Sequence, residues 1–186
     1  VSNVTNMRGM FSNANSFNQD ISNWDVSSVT NMEWLFHRAD AFNADISNWN
    51  VSSVTSMGAT FHRAWSFSRD LSNWNVANVT SMGGMFNDCR NFNSDISNWD
   101  VSNVTNMGSM FKDADDFNQD ISNWNVSSVT NMSSIFYNTG LSDQNKCVID
   151  AAFSSNGNWS YDWSSLCTND NSPVITSNSG GSTASI

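Results

Sequence analysis

The sequence is short of several things that decide what a protein can do. Basic residues number 7 against 17 acidic ones, leaving a net charge of -10. Phosphate binding draws on clustered Lys and Arg, so this balance argues against nucleic acid as a partner. With two histidines and one glutamate, Glu33, acid–base catalysis has few candidates. No nucleophile beside a base, glycine-rich phosphate loop or metal quartet stands out either, so an enzyme is not expected. No apolar run approaches the roughly 20 residues of a membrane-spanning helix. Val1 is not followed by the basic start and apolar stretch of a signal peptide, and the chain reads as a fragment or mature piece. Proline occurs once, at Pro173.

Cysteine is also scarce, with 3 in the chain. Cys89 takes a position that elsewhere carries Ala14, Ala39, Ala64 and Ala114, so a small buried free thiol is expected there. Cys147 and Cys167 could close a loop, worth about 3 kcal/mol in the chain-entropy model. An oxidising, extracellular location would permit that bond.

What is present is hydrophobic residues at 39%, enough for one core, and a repeat. The stretch DISNWDVSSVTNM at 20–32 returns almost unchanged at 45–57, 70–82, 95–107 and 120–132. Blocks start at Val1, Val26, Val51, Val76, Val101 and Val126, a period of 25 that runs to about residue 140. Such self-similarity signals a stacked array. Within a block, Met7, Met10, Phe11, Ala14 and Phe17 lie three and four apart, which predicts an amphipathic helix. Ile21, Trp24, Val26, Val29 and Met32 give IxxWxVxxVxxM, which resembles the LxxLxLxxN/CxxL segment of leucine-rich repeats. The expected fold is therefore an α/β solenoid: a right-handed, leucine-rich-repeat-like array with short parallel strands at Trp24–Val26 on the concave side and helices on the convex side. Identical residues then stack as ladders, which makes their constancy a packing requirement.

Two polar rows have their own expectations. Thr30 and its equivalents precede the helical stripe and suit an N-cap region. Asp20, Asp45, Asp70, Asp95 and Asp120 would stack carboxylates. Either each accepts backbone N–H bonds from a turn, or calcium is held between coils by their oxygens.

The run MFSNANSFNQDISNWDVSSVTNM closely resembles the BspA-like bacterial surface-protein repeat, a divergent relative of leucine-rich repeats. The resemblance covers residues 1 to about 140, and the segments LSDQNKCVIDAAF and YDWSSLC look like the terminal piece that often follows such arrays. It implies a secreted or cell-surface protein used for adhesion or recognition, usually within a longer polypeptide. Further repeats or domains flanking this piece are accordingly expected.

Beyond the repeats, residues 141–170 are expected to cap the array. There Ser142 or Asp143 can start a helix running through Phe153, with Cys147, Val148, Ala151 and Ala152 on one side. The Ser- and Gly-rich residues 171–186 are expected to be a flexible tail or linker.

Two surfaces are candidates for ligands. On the helix outer faces, Trp34, His37, Arg38, His62, Arg63, Trp65 and Arg69 gather cations and aromatics in an otherwise acidic chain. They suit a carboxylate-bearing protein or acidic glycan, against the alternatives of plain solvated surface or a two-histidine metal site without a third ligand. On the concave side run the rows Asn48, Asn73, Asn98, Asn123; Asn50, Asn75, Asp100, Asn125; and Ser52, Ala77, Ser102, Ser127. They suit a repetitive partner such as a polysaccharide, or simple solvation. The function expected is a non-enzymatic extracellular binding or adhesion module. The alternatives are a structural spacer that projects other domains, or recognition of an ordered surface such as polysaccharide or ice.

Overall fold

A computed structural model describes residues 1–167. The tail expected at 171–186, with Pro173, lies outside the described residues. Over the blocks the chain winds into coils of 25 residues that stack by backbone hydrogen bonds. Parallel bridges join Asn6 to Asn31, then Ser56, Ser81, Asn106 and Asn131. Around each bridge the pattern is strict: the N–H groups of Met32, Trp34, Phe36 and Arg38 donate to the carbonyls of Ser56, Gly58, Thr60 and His62, at 2.8 to 3.0 Å.

The intervening N–H groups turn back instead. Leu35 donates to Met32, His37 to Trp34 and Ala39 to Phe36, each three residues away. The chain therefore alternates between closing a tight turn and reaching for the next coil. Such alternation needs left-handed backbone at two positions per coil. They are Gly9 and Asn13, Trp34 and Arg38, Ala59 and Arg63, Gly84 and Asp88, Ser109 and Asp113, and Ser134 and Asn138, with φ from 52° to 64°.

This overturns the expected α/β solenoid. The one α-helix among the described residues is α1, Asp143–Phe153, and none lies in the repeats. Among the described residues no sheet forms either: the parallel bridge is one residue wide per coil and sits at Asn31, not at Trp24–Val26. The physical reason is spacing. Coils joined by backbone hydrogen bonds stand about 4.8 Å apart, whereas packed helices need 8–10 Å. A helix would also direct every N–H back along its own coil and leave none for the ladder. Thr30 is accordingly no N-cap, because its hydroxyl and N–H both donate to the carbonyl of Thr5, at 3.1 and 2.8 Å.

The core is a set of side-chain ladders. Phe36, Phe61, Phe86 and Phe111 stack with ring centres 5.5 to 5.7 Å apart. Phe42, Phe67, Phe92 and Phe117 form a second ladder at 5.8 to 6.2 Å. Each fully buried ring contributes roughly 1.5–3 kcal/mol by leaving water. Cys89 is a buried free thiol beside them, its Sγ 3.2 Å from the Ala64 carbonyl.

The last coil is covered by α1, capped by Ser142, whose hydroxyl accepts the Asn145 N–H at 3.2 Å. The helix buries Cys147, Ile149, Asp150 and Phe153. Ala151 and Ala152 are exposed, so the buried face is rotated from the one expected. The Trp159 indole satisfies buried Asp150 at 2.8 Å. Cys147 and Cys167 are joined by a disulfide, their Cα atoms 5.1 Å apart. Two cap residues keep the register of the array. Asn156, in step with Asn131, donates to the carbonyls of Val126 and Val129 at 2.7 and 3.0 Å. Tyr161, in step with Phe136, accepts the Phe136 N–H at 3.0 Å.

Candidate binding face

The constant polar residues are consumed in building the coil. The Ser22 N–H donates to Asp20 at 2.9 Å, and Ser47, Ser72, Ser97 and Ser122 repeat the bond to Asp45, Asp70, Asp95 and Asp120 at 2.8 to 3.0 Å. These backbone bonds, first, and the serine hydroxyls, second, hold Asp20, Asp45, Asp70 and Asp95 below the ordinary carboxylate pKa. Repulsion from the neighbouring Asp, which opposes this at Asp45 and Asp95, is outweighed. The carboxylate row is thus a row of Asx turns. Among the described residues no group of three or more His, Cys, Asp or Glu is placed to hold a metal, calcium at this row included.

The amide rows behave alike. Asn50, Asn75, Asp100 and Asn125 each accept the N–H two residues on, at 3.0 to 3.2 Å. Ser52 adds its hydroxyl to Asn50 at 2.7 Å. Asn48, Asn73, Asn98 and Asn123 are exposed.

Variation gathers elsewhere, on the corner formed by the left-handed turns. Trp34 and Arg38 are themselves left-handed residues, so this patch stands on turns and not on the helix faces expected. Trp34, 39% exposed, packs edge-on against His37 at 4.7 Å and lies 6.2 Å from His62. The two imidazoles are 5.0 Å apart. Burial, then the charge of His37 and Arg63, pushes His62 from 6.5 down to about 4. Burial and the two guanidinium groups also lower His37. Both rings are therefore neutral near pH 7, and the positive charge here belongs to Arg38 and Arg63.

Asp88 is the residue that the sequence did not point to. It receives the Arg63 Nε at 3.2 Å, the Trp65 indole at 3.1 Å and the Arg90 Nε at 2.8 Å. The Arg90 guanidinium sits 5.0 Å over the Trp65 ring. Burial pushes the Asp88 carboxyl up, but bonds from Arg90, Trp65 and Arg63 outweigh it and leave the group below its ordinary value. Arg69 lies apart from the patch: it donates to the Asn43 carbonyl at 2.6 Å and lines a shallow hollow with Asn18, Asp20 and Asp45.

Fold and site together define a protein of stacked, turn-built coils with one variable corner. The chain belongs to the family described as Mycoplasma protein of unknown function, DUF285, whose model matches residues 1–90 and 56–155. No curated protein matches the chain. Among the described residues no helix is long and apolar enough to cross a membrane.

Proposed function

We propose that the chain is a non-enzymatic binding module, used for adhesion at a cell surface and contacting an acidic protein or polysaccharide through the turn corner around Arg38. One observation carries this reading. Most other polar rows serve the backbone, while the corner varies from coil to coil and presents exposed Trp34 beside Arg38, whose guanidinium has no hydrogen bond or ion pair among the described residues. Trp and Arg are the residue types enriched where binding energy concentrates. The acidic balance of the chain disfavours nucleic acid. An extracellular setting agrees with the Cys147–Cys167 disulfide and with the resemblance to surface-protein repeats. Catalysis has little to draw on: Glu33 pairs with Arg8 and takes the Ser56 hydroxyl at 2.7 Å, and the two histidines face one another.

The test is binding to immobilised uronic-acid polymers and to carboxylate-rich matrix protein. Capture is expected, weakened about tenfold or more in Arg38→Ala. Equal capture of wild type and Arg38→Ala would remove the corner from the account. Silence on every surface would favour the spacer reading, which the unbroken ladder from Asn6 to Asn131 would serve.

A further inference from the structure

One row of the corner has a charge order that is its own complement. Asn13, Arg38, Arg63, Asp88, Asp113 and Asn138 follow each other coil by coil, all in the same left-handed conformation, with φ from 52° to 63°. Their N–H groups form one ladder. Asn13 donates to His37, Arg38 to His62, Arg63 to Asn87, Asp88 to Lys112 and Asp113 to Tyr137, at 2.7 to 2.9 Å. The six backbones are therefore aligned at about 4.8 Å per step. Along the row the charges read neutral, plus, plus, minus, minus, neutral. Reversed, the order places every Arg opposite an Asp.

We propose that this corner pairs with the same corner of a second copy, the two stacks running antiparallel about a two-fold axis between Arg63 and Asp88. Isologous contacts of this kind need a self-complementary surface, and equal steps make the register automatic. The central pair, Arg63 and Asp88, is already bonded within the chain at 3.2 Å. The outer pair is not. Arg38 and Asp113 stand three coils apart, roughly 14 Å, too far to meet within one molecule. Among the described residues Asp113 receives the Asn138 amide at 3.0 Å and Lys112 at 4.0 Å, and feels the Arg90 charge without bonding to it. In the antiparallel pair Arg38 of each copy reaches Asp113 of the other.

The flanking rows fit this arrangement with one exception. His37 comes opposite Lys112, and its ring is neutral near pH 7 because burial and the Arg38 and Arg63 charges lower its pKa. Exposed Trp34 comes opposite Ser109, and His62 opposite Asn87. Asp40 opposes Asp115, the one like-charged pair, at the rim where screening is strongest. The row sums to zero charge in a chain of net charge -10, so it is a place where two copies can approach without added repulsion.

The pairing rests on the reading of this corner as a binding face, and its test is separate from ligand capture. Sedimentation velocity of the full chain at about 0.1 M salt should show a dimer that dissociates at about 1 M, where the screening length falls to roughly 3 Å. Arg38→Asp alone and Asp113→Arg alone should each weaken association about tenfold or more. Mixed in equal amounts they should form a heterodimer, since each then restores the other's partner. Circular dichroism spectra superimposable on wild type show that both variants fold. A wild type that stays monomeric at about 100 µM, variants that dimerise like wild type, or a mixture that stays monomeric would each overturn the pairing. A monomer that still captures acidic ligands would overturn it and leave the proposed function standing.

Discussion

The indole N–H of Trp74 donates to the main-chain carbonyl of Ile46, one coil earlier, at 3.1 Å. Trp49, Trp99 and Trp124 make the same bond to Ile21, Leu71 and Ile96. The tryptophan ladder thus does two things: it fills the core, and it gives a second donor to a carbonyl that already takes the Trp49 N–H at 3.1 Å in its own turn. Trp74→Phe keeps most of the apolar area and removes the donor. It is expected to cost about 0.5–1.5 kcal/mol for one lost inter-coil hydrogen bond, since the carbonyl keeps the Trp49 N–H, read as a lower urea midpoint at constant slope.

Left-handed backbone is the second structural cost, and glycine relieves it. Gly84 has φ 63°, and a Cβ there would meet nothing nearer than Asn87 Cβ at 3.9 Å, an ordinary contact, so Gly84→Ala chiefly probes conformation. A loss of about 1 kcal/mol is expected, and Ser109→Gly, at φ 55°, should gain a comparable amount. Gly140→Ala is predicted to be far worse, because its Cβ would overlap the Asp115 carbonyl. Thermal melting of the three variants checks the order.

The histidine pair makes stability depend on pH. Because the folded-state pKa of His62 is depressed to about 4 from 6.5, protons bind the unfolded chain more readily. The contribution is complete above pH 6.5 and is lost as pH falls toward 4. With screening of this half-exposed ring, the loss is about 1–2 kcal/mol. Urea midpoints measured across that window should fall more steeply for wild type than for His62→Gln, in which the lowered His37 keeps a dependence of the same sign.

The disulfide closes a loop across a sequence separation of 20 and ties Cys167 to α1. Cys147→Ser with Cys167→Ser should lower stability by about 3 kcal/mol. The coils nearest α1 should loosen first, seen as faster hydrogen exchange in residues 126–141 than in residues 51–76.

Metal removal is expected to do nothing. The Asp20 row is satisfied by serine N–H groups, so calcium and then chelator should leave the melting midpoint unchanged.

The rows that pack as ladders, such as Trp49 to Trp124 and Phe36 to Phe111, stand at positions that the 25-residue period marks. The N-cap of α1 at Ser142 was one of the two, with Asp143, that capping chemistry offered. The helical stripe was misleading because tight turns also close over three residues, so Met32, Leu35 and Phe36 suit both structures. A signal that separates them was present: Gly9, Gly84, Asn13, Asp88, Asp113 and Asn138 recur at two fixed positions, and these are the residue types that tolerate left-handed backbone. Asp88 was hidden for another reason. Its partners Arg63, Trp65 and Arg90 come together only once coils stack, and its row varies between coils.

The central claim is that alternate N–H groups of each turn segment bond to the next coil. NMR couplings across hydrogen bonds test it directly, at the amide of Phe36. Coupling to the carbonyl carbon of Thr60, whose oxygen lies 2.8 Å from the Phe36 nitrogen, is the predicted result. Coupling to the carbonyl of Met32, four residues back, would mean a helix and would contradict the account.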